Sequence, residues 1–564
     1  VTQIVFDIET NGLTPDIIWC VADSTGGFSR ETYDFKEGET YYAHNGIGFD
    51  YPVLDKLWGV RIPHARRRDT LVLSRLASPS RSGGHSLDNW GRILGYPKGD
   101  HTDWSQYSSD MRKYCQRDVE LTVRVLAALE RELEGFSERS IDLEHRVAHI
   151  VQDQMNNGWL LDQEKVFLLL AELKEKKYEL EEEVRQVFRP HYKVVKEITP
   201  KIKQDGKMSI VGLKFLGEDA LEVVGGSFTR VDYTEFNLGS RRQIGEYLQR
   251  FGWVPSKFTP TGQPEVSELI LKDVKGIPEA TLIADYLTVV KRIAMAQSWL
   301  DFVQDDGRVH GEVNSNGCIT SRMSHYNPNM GQVTSGTKIY GKEMRGCWIV
   351  PKGYKLVGMD ASGLELRMLA HYMNDPDYTR EVTDGDVHTA NQRAAGLKDR
   401  DTAKTFIYAF LYGAGDAKIG SIVGGTAADG KSLKAKFLRN TPALADLRDR
   451  VSRAAKRGWL RGLDGRRIAI RSPHAALNTL LQGAGAIVMK QALVNLDRMA
   501  RGQHLDFMFV GNIHDEIQTE VLEAQAVQFG KVSVFAMAKA GLDFKLNVPL
   551  VGQYKIGNSW QETH

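Results

Sequence analysis

The chain has four cysteines among 564 residues, and Cys20, Cys115, Cys318 and Cys347 stand far apart with no C-x-x-C pair. That excludes a zinc knuckle and a disulfide framework, and it fits a reducing compartment. No stretch approaches the roughly 18 to 20 apolar residues a membrane helix needs. The opening "VTQIVFDIET" has neither a basic n-region nor a cleavage site. A soluble cytoplasmic protein with no membrane partner is expected. There is no repeat of about 20 to 50 residues and no low-complexity tract. The net charge of +1 shows no excess of either sign.

What is present is segregated. Lys434 to Arg471 carries twelve Lys or Arg against three Asp, and "RIPHARRR" (Arg61 to Arg68) forms a second basic patch. Each alone reads equally well as a solvated face. Together on a neutral chain they suit a polyanion held in one groove, with acidic groups needed elsewhere.

The length exceeds one core, so about two to four domains are expected. The first 130 or so residues alternate β-rich runs ("TQIVF", "IIWCVAD", "TYYAHN") with helical stretches, an α/β pattern. "LDQEKVFLLLAELKEKKYELEEEVRQVF" (Leu161 to Phe188) has helical spacing and reads as an arm. Residues 190 to 235 read as irregular, helices resume at "SRRQIGEYLQRFG" and "EATLIADYLTVVKRIAMAQSWLDFV", and strands and helices mix from about Val309 onward.

Two acidic clusters carry the chemistry. In "VFDIET", Asp7 and Glu9 lie at i and i+2 on a predicted strand and share a face. "HNGIGFD" adds Asn45, Phe49 and Asp50, and "YCQRD" adds Tyr114 and Asp118 at i and i+4 on one helix face. Four converging acids repel unless cations are present, and oxygen ligands without cysteine favour Mg²⁺ or Mn²⁺. These three motifs resemble the 3′→5′ proofreading exonuclease family built on four acids and a tyrosine. The resemblance implies that Asp7, Glu9, Asp50 and Asp118 hold two metals and that Tyr114 orients the attacking water.

In the second cluster, Asp360 ends the strand-like "YKLVGMD", and "VGNIHDEIQTEV" reads as a hairpin with His514, Asp515 and Glu516 at its turn. Between them, Arg400, Lys404 and Tyr408 in "RDTAKTFIYAFLYGAG" recur at i, i+4 and i+8, drifting roughly 40° per step on one helix face. Two cations and an aromatic suit a triphosphate with a base or sugar behind it. An ordinary amphipathic helix would look the same in isolation.

These segments closely resemble motifs A, B and C of family A DNA polymerases, through "DASGLELR", "AKTFIY", "FLYGAG", "RSPHAALNTLLQ" and "HDEIQ". The resemblance covers nearly the whole chain and is nearest the replicative enzymes of short-tailed bacteriophages, which would place the protein in a host bacterial cytoplasm. It implies a multidomain α/β and α+β chain, with a ribonuclease H-like exonuclease domain followed by a right-hand polymerase domain. The corresponding segments are 1–140 (exonuclease), 141–310 (thumb), 311–374 (palm), 375–460 (fingers) and 461–564 (palm and tail).

At matching positions, Asp360, Asp515 and the Ala361 carbonyl would bind two Mg²⁺, with Mn²⁺ as substitute. Arg400, Lys404 and His388 would hold the nucleotide phosphates, and Glu365 would exclude a 2′-hydroxyl. Tyr412 and Gly413 match the template-base stack; Arg322, Asn478, Gln482 and His514 match contacts to the minor groove or primer end. Such contacts test pairing geometry without reading sequence. Asn478 and Gln482 could instead simply cap or satisfy backbone groups on their helix, and His388 could be an ordinary exposed histidine.

Rival readings are an ATPase, from the phosphate-loop pattern "GTAADGKS" (Gly425 to Ser432), and a single-subunit RNA polymerase. A third is an exonuclease whose C-terminal part is inactive or only binds. The strand before "GTAADGKS" is short and Gly-broken, Glu365 speaks for DNA, and intact Asp360, Lys404 and Asp515 speak for synthesis. The expected partners are primer–template DNA and deoxynucleoside triphosphates, with a helicase–primase and a single-stranded DNA-binding protein around a monomer. A 5′ nuclease domain is not expected. The 189–234 segment looks too short for a thioredoxin-recruiting insertion, so low intrinsic processivity is expected, or processivity from another source. The tail "KIGNSWQETH" is expected near the polymerase site.

Tyr408 stands where many relatives carry phenylalanine, and its phenol can replace the hydrogen bond lost when a nucleotide lacks its 3′-hydroxyl. Tyr408→Phe is therefore expected to lower dideoxynucleotide incorporation roughly tenfold relative to the parent. Termination ladders from both enzymes check this; equal discrimination would refute it.

Overall fold

The strand "QIVFDIET", β1 (Gln3–Thr10), buries residues on both faces and leaves Asp7 half-open near its middle. Such a strand belongs in the middle of a sheet. It lies there, in the order β3-β2-β1-β4-β5, with β2 (Ile18–Asp23), β3 (Phe28–Ser29), β4 (Thr40–Ala43) and β5 (Arg67–Asp69). β1 runs antiparallel to β2 and parallel to β4, and β4 is parallel to β5. Helices α1 (Asp50–Trp58), α2 (Thr70–Ala77), α3 (Leu87–Ile93) and α4 (Ser109–Glu132) accompany it.

The structure, a computed structural model, describes residues 2–187, 191–198, 203–205, 207, 228–234 and 236–564. It divides into two units, Val1–Asp162 with Phe302–His564, and Gln163–Asp301.

In the first unit, α5 (Glu138–Asn157) packs against α2 and the second sheet. That sheet has the order β16-β17-β13-β18, from β13 (Tyr354–Ala361), β16 (Phe507–Ile513), β17 (Glu516–Leu522) and β18 (Gly552–Gly557). The long helices α18 (Ala476–Gly502) and α19 (Ala526–Asp543) pair with each other, and α19 also covers β13 and β18. Small sheets complete the unit. β6 (Trp159–Leu161) lies between β9 (Arg308–Val309) and β12 (Trp348–Ile349), β10 (Glu312–Asn314) pairs with β11 (Ser324–Tyr326), and β14 (Trp459–Arg461) pairs with β15 (Arg467–Ala469). A short helix, α10 (Gly341–Gly346), precedes β12.

Between β13 and β14 the chain is helical: α11 (Leu364–Met373), α12 (Pro376–Thr383), α13 (Val387–Ala395), α14 (Arg400–Leu411), α15 (Asp416–Ile422), α16 (Ala427–Asn440) and α17 (Pro442–Ala455). Asp375, Asp386 and Asp399 cap α12, α13 and α14 by accepting from backbone N–H groups.

The second unit holds α6 (Gln163–Val187), β7 (His191–Ile198), β8 (Phe228–Thr234), α7 (Arg241–Arg250), α8 (Glu268–Lys272) and all but the last residue of α9 (Pro278–Phe302). Two sequence expectations are corrected here. Residues 190–235 are not irregular throughout, because β7 and β8 pair antiparallel from His191↔Thr234 to Ile198↔Phe228. Most of what lies between them, where a processivity insertion was considered, falls outside the described residues. The 141–310 segment is wider than the compact unit, since α5 caps its own start through Ser137 and packs against the other unit's sheets and helices.

"GTAADGKS" is no phosphate loop. Thr426 and Asp429 form a reciprocal capping box at the start of α16, and Gly430 and Lys431 lie within that helix. A Cβ on Gly430 would sit 2.0 Å from the Asp416 carbonyl oxygen and 2.6 Å from the Gly420 nitrogen, so glycine lets α15 and α16 touch. Gly430→Ala should destabilise the chain by about 1–3 kcal/mol in denaturant titrations. An unchanged midpoint would contradict this packing.

Candidate active sites

The N-terminal acids converge as the motifs predict. Asp7, Glu9, Asp50, Tyr114 and Asp118 line one cavity of about 490 Å³ with His44, Asn45, Phe49, Lys98 and Trp104. Glu9, Asp50 and Asp118 are buried. Asp50 is the first residue of α1, where the helix N-terminus favours negative charge. The loop before it is held by Asp69, whose carboxylate accepts from Asn45 N (2.9 Å), Ile47 N (3.0 Å) and Leu71 N (2.8 Å).

Crowding dominates the electrostatics. Burial, then Glu9 and Asp50, push the Asp7 carboxyl well up; burial and Asp118 push Glu9 to about 9; burial and Asp69 push Asp50 to about 7. Burial also raises Asp118, with Lys98 opposing. Glu9 Oε1 and Asp118 Oδ1 are buried without a hydrogen-bond partner among the described residues. Buried carboxylate oxygens without donors fit a hard divalent cation.

Two residues here escaped sequence reasoning. Lys98, from the segment between α3 and α4, lies 3.0 Å from Asp118 Oδ2 and 5.1 Å over the Tyr114 ring. Burial opposes its charge, but Asp118 and Tyr114 hold the ammonium up. Cys115 corrects the expectation of a cysteine-free pocket, because its sulfur lies with Asp7 and Glu9, ligand atoms within 4.8 Å of one another. It donates instead to the Asp7 carbonyl (3.4 Å), and its hydrogen bond with Cys20, then burial, push the thiol up. A protonated thiol is a poor ligand, so the donor set stays oxygen-based.

The second pair is brought together by strand register. β13 and β17 pair antiparallel with Asp360 opposite Glu516, and the Ala361 N–H donates to the Asp515 carbonyl at 3.0 Å. Asp360 and Asp515 thus emerge side by side. Burial, then Glu516, push Asp360 to about 6. In the turn His514 takes φ +58° and is exposed, and Arg322 Nη2 lies 4.0 Å from Asp515 Oδ1. The carboxylate pair and the Ala361 carbonyl form an all-oxygen donor set that also suits a hard cation.

Glu516 plays a different part from its neighbour. It is buried, accepting from Trp560 Nε1 (2.5 Å) and Gln518, and paired with His564 Nδ1 (2.8 Å) and Arg345 Nη1 (3.7 Å). The tail expected near this site is therefore packed against its hairpin.

Beside the pair, Glu365 Oε2 accepts from the Tyr412 hydroxyl at 3.0 Å, and burial raises its carboxyl. The Tyr408 ring is 6.4 Å from Tyr412 and 6.2 Å from His388. Arg400 and Lys404 are exposed on α14; Arg400 Nε is 2.7 Å from Asp386, and Lys404 has no ion-pair partner among the described residues. Gly413 takes φ +74°, and a Cβ there would lie 2.8 Å from the His474 carbonyl. Behind it a cavity of about 660 Å³ is walled by Phe410, Ala414, Lys434, Arg448 and His474. Asn478 and Gln482 lie half-buried on α18, and among the described residues their side chains make no hydrogen bond, so neither serves as a cap.

DNA polymerase family A matches residues 216–562. The DNA-directed DNA polymerase of Enterobacteria phage T3 is 34% identical, over 94% of this chain and 93% of its own length. That of Escherichia phage T7 is 34% identical over 92% of each. Among solved structures, the POL domain of Pol1 from M. smegmatis, in complex with DNA primer-template and dNTP, superimposes with a TM-score of 0.77 at 19% identity, covering 99% of this chain and 95% of that one. With a family model matching most of its length and a relative 34% identical almost end to end, the chain belongs to DNA polymerase family A.

Proposed function

We propose that the chain is a template-directed DNA polymerase of bacteriophage origin that extends a primer 3′ end and trims it through a 3′→5′ exonuclease pocket. The observation carrying the synthetic half is the pairing of β13 with β17, which brings Asp360 and Asp515 side by side. Mg²⁺, or Mn²⁺ in its place, would be held two per pocket by Asp360, Asp515 and the Ala361 carbonyl, and by Asp7, Glu9, Asp50 and Asp118. Bound there, such ions supply Lewis acidity and neutralise charge at the reacting phosphate.

The protein's own groups place the reactants, because in-line phosphoryl transfer is mainly placement and charge neutralisation. Lys404 and Arg400 project from one face of α14 toward an incoming triphosphate, with His388 beside them. Tyr408 offers its ring to the base or sugar, and Glu365, held by Tyr412, fills the space a 2′-hydroxyl would need. Arg322, His514, Asn478 and Gln482 follow the minor-groove side of the new duplex, with the template base at Tyr412 and Gly413. In the other pocket Tyr114, with Lys98 at its face, orients water toward the terminal phosphodiester.

Two variant pairs separate the halves. Asp360→Asn or Asp515→Asn should lower primer extension on the order of 10³-fold while shortening of the same labelled primer persists. Asp7→Ala with Glu9→Ala should do the reverse. Loss of both activities from either pair would sink the two-pocket reading.

The raised acids also predict a pH effect in chelator. Glu9 and Asp50 keep protons in the folded state that the unfolded chain releases in the ordinary carboxylate range. The stability they contribute is complete below that range and is lost as pH rises through about 7 and about 9. Calorimetry of the metal-free chain should show its N-terminal transition falling between pH 5 and 9, and Mg²⁺ should flatten the fall. A transition independent of pH in chelator would contradict the crowding.

A further inference from the structure

Four charges are buried together where α5, the β14–β15 hairpin and α18 meet. Glu144, Asp464, Arg466 and Lys490 are each at most 3% exposed. Arg466 Nε lies 3.0 and 2.9 Å from the two Asp464 oxygens, and its Nη2 lies 2.6 Å from Oδ2. Arg466 Nη1 also donates to Glu144 Oε1, which takes a second hydrogen bond from Lys490 Nζ at 2.5 Å. The charges sum to zero, and the Ser137 hydroxyl at the cap of α5 donates to the Asp464 carbonyl.

The cluster reaches in both directions. Lys490 Nζ is 3.5 Å from Asn316 Oδ1, and Asn316 Nδ2 donates to the Arg75 carbonyl on α2 of the N-terminal fold (2.9 Å). Asn316 opens the loop that carries Arg322. Lys490 itself lines a small cleft with Arg322, Met323, His514 and Asp515. Upstream on the same helix lie Asn478 and Gln482.

Charges so placed are poor stabilisers. Desolvating them costs about as much as their attraction returns, and well-packed apolar replacements are often as stable. What they supply is directional: each oxygen accepts only along certain lines, so α18 cannot slide or rotate against α5 without breaking bonds. Hydrocarbon packing would tolerate such a shift.

We propose that Glu144, Arg466 and Lys490 are positioning residues for the primer–template duplex, fixing the register of α18 against α5 and seating the edge formed by Arg322, Asn478 and Gln482. The inference rests on the proposed role of that edge as the duplex contact. It assigns to a buried ionic cluster control over how tightly the primer end is held.

The test compares Lys490→Met, Glu144→Gln and the double variant, which leaves Arg466 and Asp464 balanced. Each single change strands a buried charge and should lower the melting temperature; the double should recover most of it. If the cluster only stabilises, the double variant also recovers the parent's KM for primer–template. If it positions, that KM stays raised fivefold or more, with kcat within twofold and the KM for deoxynucleoside triphosphates unchanged. A stable double variant with the parent's primer–template KM would overturn the inference. Should the double not fold, Asn316→Ala removes only the link from Lys490 to the Arg75 carbonyl; a two- to threefold rise in primer–template KM is expected, and no rise overturns the proposal. Arg322→Ala and Asn478→Ala, measured in parallel, test the duplex edge itself: no effect from either removes the reading underneath, whereas an effect there with none from the cluster rejects the inference alone.

Discussion

The antiparallel register of β13 against β17 is the constraint on which the rest of the molecule depends. Side chains alternate along a strand, so a one-residue slip would turn Asp360 into the core and bring Met359 to the site. The slip is resisted from both sides. β18 pairs with β13 through Asp360↔Gln553, and Leu356, Val357 and Met359 are buried beneath α19 and its neighbours. At the turn, Glu516 is tied to Trp560, Gln518, Arg345 and His564, so the hairpin carrying Asp515 is anchored by an acid that faces inward while its neighbour faces out. Two adjacent carboxylates thus face opposite ways, Asp515 in the turn and Glu516 at the buried start of β17.

The same logic joins the two halves of the first unit. α5 follows the N-terminal sheet in sequence yet serves both parts. His145 Nε2 accepts from Asp69 N at 3.0 Å, Arg68 pairs with Asp142, and one turn of the same helix offers Glu144 to Arg466 and Lys490. Gln154 farther along accepts from Asn512 Nδ2 at 2.5 Å, on the hairpin that carries Asp515. Asp69 meanwhile holds the loop that delivers Asp50. A single helix thereby fixes the supports of both acid pockets, which is why its first residues cannot be assigned to the other unit by sequence continuity.

What was legible in the sequence was what local geometry can encode. Asp7 with Glu9 and Tyr114 with Asp118 share faces because strand and helix periods put them there, and Arg400, Lys404 and Tyr408 follow one helix for the same reason. The convergence of Asp360 on Asp515 could only be supplied by family resemblance, since no local period links them. Lys98, Asp69 and Lys490 left no trace: each is a single charged residue whose partner lies on another element. Cys115 was left out of the acid cluster because its spacing to Asp7 says nothing about α4 lying on β1. The β7–β8 ladder was missed because residues 199–227 separate its two strands, far more than the roughly two to five that mark a hairpin in sequence.

The two pockets differ in what their acids demand. In the N-terminal one, four carboxylates share a cavity of about 490 Å³ with one cationic side chain, Lys98, and desolvation outweighs the help it gives. Those groups cannot all ionise without added positive charge. At the second, Asp360 is exposed at a strand end, Asp515 lies half-open beside Arg322, and the third acid, Glu516, already has His564 and Arg345 as partners. Although burial pushes the other way, those partners and Gln518 hold Glu516 below its ordinary value. The protein has neutralised one acid of the second pocket internally and left the first pocket's acids largely uncompensated. A cation bound in the N-terminal pocket would therefore arrive together with ionisation of its acids, whereas the hairpin site can hold its carboxylate geometry beforehand, through backbone pairing and the bonds around Glu516.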